Sequence, residues 1–462
     1  MLSVLRNRTY RRLLGAQVVA LAGAGLATVA LSLLAYDLAG ADAAAVLGTA
    51  LALKMAAYVG IAPLAGALAD RVPRRTLLVS MDLARATVAL ALPFVTQVWQ
   101  VYVLILLLQA ASAAFTPAFQ ATIPQVLPEE RDYTEALSLS RLAYDLESLV
   151  SPVLAAALLT VVPYSWLFTG TAAGFLASAL LVRTTTLPAP PDTGTEGAGE
   201  RLYAKVAFGI RLLLATPRLR ALLALDLAVA AAGAVVLVDT VLLVRDTLGR
   251  PAGDVPLALG AYGAGSMAVA LLLPRVLRRA DDRAVMVRAA FVLPGALALL
   301  ALGLAAAPGA WSWPALLAVW LLAGAAGSAV LTPGGRVVRR SVGSGDLPAA
   351  FAARFSLSHA CWLLAYPLAG GLAAWAGPAA SAAVLAALAL LGAVGAALLW
   401  PREDPAELDH VHPGLPAGHP HLAGSGAHHA HPFRIDKTPP SGGAASPDRP
   451  GPRPARRRTW RP

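Results

Sequence analysis

The feature that most constrains this chain is a rhythm of long apolar runs, each bounded by a short gap of charged or turn-forming residues. The runs fall near 12–37, 43–69, 76–96, 98–121, 135–162 and 164–183, then near 219–245, 254–276, 285–307, 312–332, 350–376 and 379–400. A helix rises about 1.5 Å per residue, so about 20 apolar residues cross the hydrocarbon layer of a bilayer. The runs reach that length. Of the 462 residues, 57% are hydrophobic and 14% charged, against roughly 25% charged in a soluble domain. A single aqueous core does not absorb that much apolar surface. The first run also exceeds the apolar core of a secretory signal, about 7–15 residues, and reads as the first span. The expectation is an all-α membrane protein with twelve transmembrane helices, multi-pass in the cell membrane.

Charge orients the chain. Arginines between runs gather at 6–12, 71–75, 201–220, 275–288 and 336–340, whereas the gaps near 97, 163, 309 and 378 are almost uncharged. The gap at 245–254 mixes signs, with Arg245, Asp246, Arg250 and Asp254. This alternation follows the positive-inside rule and places both termini and the central linker in the cytoplasm. The formal net charge of +11 is therefore read as topology and attraction to lipid headgroups, not as a nucleic-acid surface. Cys361 is the single cysteine, so no intramolecular disulfide forms.

The polar segment "TTTLPAPPDTGTEGAGE" reads as a linker, and "RLYAKVAFGIRLLLATPRLR" after it as an amphipathic helix on the membrane surface. The expected units are a six-helix half at 1–183, a cytoplasmic linker at 184–218, a second six-helix half at 219–400 and a disordered cytoplasmic tail at 401–462. The tail holds His410, His412, His419, His421, His428, His429 and His431. Imidazoles at H-x-H spacing suit Zn²⁺ or Ni²⁺, but expected disorder argues against a defined site, and no metal or other cofactor is assigned.

The halves echo each other. "FTPAFQ" at 115–120 corresponds to "LTPGGR" at 331–336, Pro152 to Pro367, and Arg71, Arg74 and Arg75 to Arg275, Arg278 and Arg279. Three matches in one order argue for a duplicated six-helix unit. Such repeats place a substrate site at their interface, near the bilayer midplane.

One turn carries more than anchoring charge. In "GALADRVPRR" at 66–75, Gly66 permits close helix approach, Asp70 can accept hydrogen bonds or pair with an arginine, and Arg71, Arg74 and Arg75 hold the headgroup layer. The stretch resembles the signature loop of the major facilitator superfamily, G-x-L-a-D-r-x-G-r-[RK], with Pro73 in place of the second glycine. The resemblance extends over about 5–400. The opening "LRNRTYRRLLGAQVVALAGAGLA" and "DLARA" look like the exporter branch with macrolide and siderophore efflux carriers. It implies that Gly66, Asp70, Arg71, Arg74 and Arg75 form a conformational latch on the cytoplasmic side. The plainer alternative is a set of positive-inside anchors. The second-half copy has Ala270 and Pro274 at the Gly and Asp positions and reads as an anchor alone.

Two departures from the family pattern bear on energy coupling. Leu106 stands where proton-coupled members carry an arginine in the fourth span, and the fifth-span motif is reduced to Ser151-Pro152-Val-Leu-Ala155-Ala156. The eleventh span carries Pro367, Gly370 and Gly371. Pro152, Pro367, Gly370 and Gly371 are therefore assigned to helix packing.

Ionisable residues inside a span are costly, and each is a functional candidate. Lys54, Asp145, Glu147 and Asp239 are the candidate coupling or substrate residues. An ion pair of an acid with Lys54 is the structural alternative, as is an i,i+4 pair between Arg141 and Asp145. Asp82, Arg85, Asp226 and Arg354 lie nearer the cytoplasmic ends, where they can snorkel or cap. His359 reads as a packed, neutral histidine. The chain has no G-x-x-x-x-G-K-[ST] loop, no H-E-x-x-H and no G-x-S-x-G, so neither ATP-driven transport nor an enzyme is expected. The reading is a secondary transporter, a monomer among membrane lipids that exports an amphipathic small molecule by alternating access, with protons as the default coupling ion. A non-transporting sensor or receptor on the same scaffold is the alternative.

Overall fold

A computed structural model describes residues 3–39, 43–68, 72–187, 202–306, 309–402, 407–411 and 428–432. Its first half holds α1 (Arg8–Ala39), α2 (Ala43–Leu68), α3 (Arg74–Ala91), α4 (Val98–Val126), α5 (Glu130–Leu159) and α6 (Ser165–Arg183). A linker helix, α7 (Leu202–Ala215), follows where the amphipathic stretch was expected. The second half holds α8 (Pro217–Ala234), the short α9 (Thr240–Leu242), α10 (Val255–Val276), α11 (Asp282–Ala305), α12 (Ser312–Leu331), α13 (Gly334–Ser341), α14 (Leu347–Ala376) and α15 (Pro378–Leu399). Eleven described helical stretches are long and apolar enough to span a membrane, and α2, with 26 residues, holds the position of the second span.

Helix is the form these runs take because it satisfies every backbone polar group within the segment, as a lipid environment demands. The ends are marked locally. Proline occupies the first turn of α8, α10, α14 and α15, where its missing N–H costs nothing. Gln97 and Gln100 form a reciprocal capping box at the start of α4. α14 ends at Gly377, whose φ of 87° lies where a side chain is disfavoured.

The packing repeats across the halves. α1 packs on α6 and α5 as α8 packs on α15 and α14, and α2 on α4 as α10 on α12. α3 contacts α4 and α6 as α11 contacts α12 and α15. The halves meet along α2 with α14 and α5 with α10, a pair of contacts that a two-fold axis exchanges. Glycine sets equivalent crossings in both: a Cβ on Gly174 would lie 2.7 Å from the Val19 carbonyl oxygen, and one on Gly392 2.6 Å from that of Ala224. Backbones approach that closely where no side chain intervenes.

Two features go beyond the sequence expectation. The seventh span contains π-helical segments at Val235–Asp239 and Leu243–Thr247. Thr240 between them donates to the Val236 carbonyl and accepts a 2.9 Å bond from the Trp320 indole N–H, which fills the widened turn. In the tail, β1 (Glu407–Val411) pairs antiparallel with β2 (His428–Pro432), with His410 opposite His429. Cross-strand pairing satisfies the backbone groups of these ten positions. The rest of the tail beyond Arg402 lies outside the described residues.

Candidate functional site

The arginine-bearing turns, α7 and the start of α1 share one end of the bundle, here called the basic face. A cavity of about 600 Å³ lies between the halves, within the size range of small-molecule sites. Its wall includes Gln17, Lys54, Tyr58, Gln109, Glu147 and His359. Counting about 1.5 Å per residue, Lys54 lies roughly midway along α2 and Glu147 roughly midway along α5.

Contacts between the halves concentrate toward the basic face. Arg336 at the start of α13 pairs with Glu130 at 2.5 Å and donates to the Thr134 hydroxyl at 2.6 Å. Arg339 donates to the Pro128 carbonyl. Gly335 sits against Tyr133 and Leu137, leaving no room for a side chain. One level deeper, Tyr58 packs against Phe355 and His359, with ring centres 5.0 and 4.8 Å apart. Ser356 donates to the Val59 carbonyl at 2.5 Å. Between α5 and α10, Leu149 packs on Gly263 near the middle of both helices. The cavity is thus sealed by charge and aromatic packing on the basic side.

Behind the seal, Asp282 at the start of α11 pairs with Arg336 and Arg340, each at 3.2 Å. These three belong to the second half and hold Arg336 in place for Glu130. The second-half copy of the basic turn was expected to be an anchor alone. A few residues after that turn, on α11, stands Asp282, whose ion pairs with Arg336 and Arg340 stay within the second half. Arg336 ends the "LTPGGR" repeat where the first half has Gln120. That departure between the copies was the available signal.

The four candidate membrane charges separate. Lys54 and Glu147 line the cavity. Lys54 Nζ lies 5.7 Å from the centre of the Tyr58 ring. Among the described residues neither makes a close ion pair, but Lys54 acts electrostatically on Glu147 from across the cavity. Asp145 instead faces α10: it pairs with Arg141 at 3.1 Å and accepts from Ser266 at 2.7 Å. The expected i,i+4 pair is present and is tied to the other half through Ser266. Asp239 lies in the first π segment and accepts from Ser381 of α15 at 2.8 Å, outside the cavity wall.

The charges expected to snorkel or cap are paired, with Asp82, Arg85 and Asp226 buried and Arg354 half-buried. Asp82 pairs with Arg85 and accepts from Ser178 at 2.7 Å. The Arg85 guanidinium lies 4.2 and 4.5 Å from the Phe115 and Phe175 ring centres. Arg354 reaches Asp226 at 3.3 Å. Arg85, Arg354 and Asp226 also border the central cavity, so both pairs lie at its wall. His359 is packed as expected, its Nδ1–H donating to the Phe355 carbonyl at 2.7 Å.

Of the signature turn, Asp70 and Arg71 lie outside the described residues. Gly66 lies in the last turns of α2. Arg74 is buried and reaches the Ala121 carbonyl at 3.5 Å, and Arg75 is exposed. Pro367 lies inside α14, and a Cβ on Gly370 would touch Val238 at 3.4 Å. Gly371 faces open space, so the packing expected there falls to Gly370. The Pro152 side chain lies outside the described set. Among the side chains described, no three His, Cys, Asp or Glu gather as a metal site.

The family model of the Major Facilitator Superfamily matches residues 13–301. An MFS-type transporter of Bacillus subtilis, YfiS, is 27% identical over 122 residues, covering 26% of this chain and 29% of that protein. Macrolide efflux protein A of Streptococcus pyogenes is 31% identical over 125 residues, covering 25% of this chain and 31% of that protein. The matches thus span about 30% of those relatives' own length. The human organic anion transporter MFSD10 superposes with a TM-score of 0.68 at 15% identity, covering 84% of this chain and 99% of that one, which is a likeness of fold.

Proposed function

Because the chain belongs to the major facilitator superfamily, we propose that it is a secondary active transporter that exports an amphipathic small molecule by alternating access. The observation that carries this reading is the central cavity between two matching halves, sealed on the basic face by Arg336, Glu130 and Thr134. The arginine distribution makes that face cytoplasmic, so the conformation described is outward-facing. Parting of the Arg336 contacts, with closure at the other face, converts it to the inward-facing form. Asp70 of the signature turn adds a second latch on the same side.

The cargo class follows from the wall. Leu, Ala and aromatic side chains supply an apolar surface, and polar and charged groups that include Gln17, Lys54, Gln109 and Glu147 face the same space. The local resemblance to macrolide efflux protein A supports a drug-like cargo and outward direction. Of the two carboxylates that line the cavity, Asp226 is paired with Arg354, and Glu147 is the one placed to carry a coupling proton, with proton antiport as the working energy source. The test is efflux of norfloxacin, erythromycin and ethidium from cells with and without an imposed proton gradient. Faster efflux with the gradient is expected. Loss of all protein-dependent flux would turn the reading toward a non-transporting sensor.

A further inference from the structure

The charges in the membrane interior divide into two kinds. Asp82 with Arg85, Asp145 with Arg141 and Asp226 with Arg354 are paired. Glu147, Lys54 and Asp239 have no such pair among the described residues; Asp239 is held by Ser381 away from the cavity, whereas Glu147 and Lys54 line it. Among the described residues neither makes a hydrogen bond or a close ion pair, although the Lys54 ammonium attracts Glu147 across the cavity. Lys54 stands beside the Tyr58 ring, at the edge of the Tyr58, Phe355 and His359 cluster. Glu147 stands on the α1 side, where Gly25 leaves space: a Cβ there would lie 2.9 Å from its Oε1. One fixed cation and one fixed anion thus face a common space from different helices.

We infer that the cargo is a zwitterion on an apolar body, its amine bound by Glu147 and its acid by Lys54. This rests on the transporter reading and adds the charge class of the substrate. The physical reason is closure. When the cavity occludes, water leaves and an uncompensated charge becomes expensive. A zwitterion answers both fixed charges at once. A cation leaves Lys54 unanswered, and an anion leaves Glu147 unanswered. In the empty carrier the two side chains can answer each other as the walls come together, so the return step strands no charge. The aromatic cluster beside Lys54 gives the apolar body a surface against which to pack.

Four forms of one molecule test this in proteoliposomes: norfloxacin, a zwitterion at neutral pH; its N-acetyl derivative, an anion; its methyl ester, a cation; and the N-acetyl methyl ester, neutral. Passive leak is subtracted with protein-free vesicles. The zwitterion is expected to move at least about tenfold faster than either singly charged form, a difference the loss of one charge contact readily supplies. Glu147→Gln should shift preference to the anion and Lys54→Gln to the cation. The exchange Lys54→Glu with Glu147→Lys should restore preference for the zwitterion, which a merely structural role does not predict. Equal rates for the four forms, or single variants that lower all rates without changing their order, overturn the inference. Movement of none of the four overturns it as well. Erythromycin flux in the same vesicles then shows whether the transporter reading stands without it.

Discussion

Replacing Arg336 with alanine removes the central contact of the seal and leaves most of the fold alone. Arg336 makes two contacts across the halves, to Glu130 at 2.5 Å and to Thr134 at 2.6 Å, and one within its own half, to Asp282 at 3.2 Å. The Glu130 side chain is 52% exposed, so that pair contributes about 0.5 kcal/mol. The hydrogen bond from a charged guanidinium to Thr134 is better shielded and contributes about 1.5 kcal/mol. Both are lost when the halves part at this face. Together they favour the sealed form by about 2 kcal/mol, or roughly 30-fold in population. The Asp282 contact persists in both forms and cancels from that ratio. Spin labels at Arg131 and Arg279, exposed positions on opposite halves of the basic face, in a Cys361→Ser background, read the separation by pulsed electron resonance. Arg336→Ala should raise the ratio of the longer distance by about that factor. Arg340→Ala, which touches Asp282 alone within its half, should lower thermal stability and leave the distances unchanged. An unchanged distribution in Arg336→Ala, or an equal shift in both variants, refutes the assignment of the seal to Arg336.

Other positions make separate predictions. Asp82→Ala strands Arg85 among aromatic rings and should destabilise the detergent-solubilised protein by about 3–5 kcal/mol, whereas Asp82→Ala with Arg85→Leu should recover much of that loss; thermal unfolding decides. Gly174→Val forces a side chain into the Val19 backbone and should cost at least about 3 kcal/mol, since α1 and α6 cannot separate without disturbing the first half. Gly25→Ala brings a Cβ against Ser151 and Glu147 and should reduce transport well before it lowers stability, as measured by flux beside unfolding. Asp70→Asn should slow transport strongly while Arg75→Gln stays near wild type; retained activity in Asp70→Asn would leave that turn as an anchor.

Much of the architecture was legible because lipid imposes a local rule. A span of about 20 apolar residues must close its own hydrogen bonds, so run length alone announces a helix. The repeat was legible too, since Pro117 and Pro333 stand in matching segments, and it reappears as matching helix contacts. The site was legible only in part. Composition marks an ionisable residue in a span but does not say which way it faces. Asp145 and Glu147 are two positions apart on α5, and a helix turns about 200° over that step. One faces Ser266 of α10 and the other the cavity.

The order of apolar runs, the placement of arginines between them and the duplicated six-helix pattern are properties of the chain in one dimension, and the sequence alone determined them. Which charges neutralise each other is a property of neighbours in space. Asp82 meets Ser178 across 96 positions, Arg354 meets Asp226 across 128, and Arg336 meets Glu130 across 206. Only the packing of helices from distant parts of the chain decided those pairs, because a few ångströms settle whether a buried charge is compensated. The same packing left Lys54 and Glu147 facing the cavity with no close ion pair among the described residues.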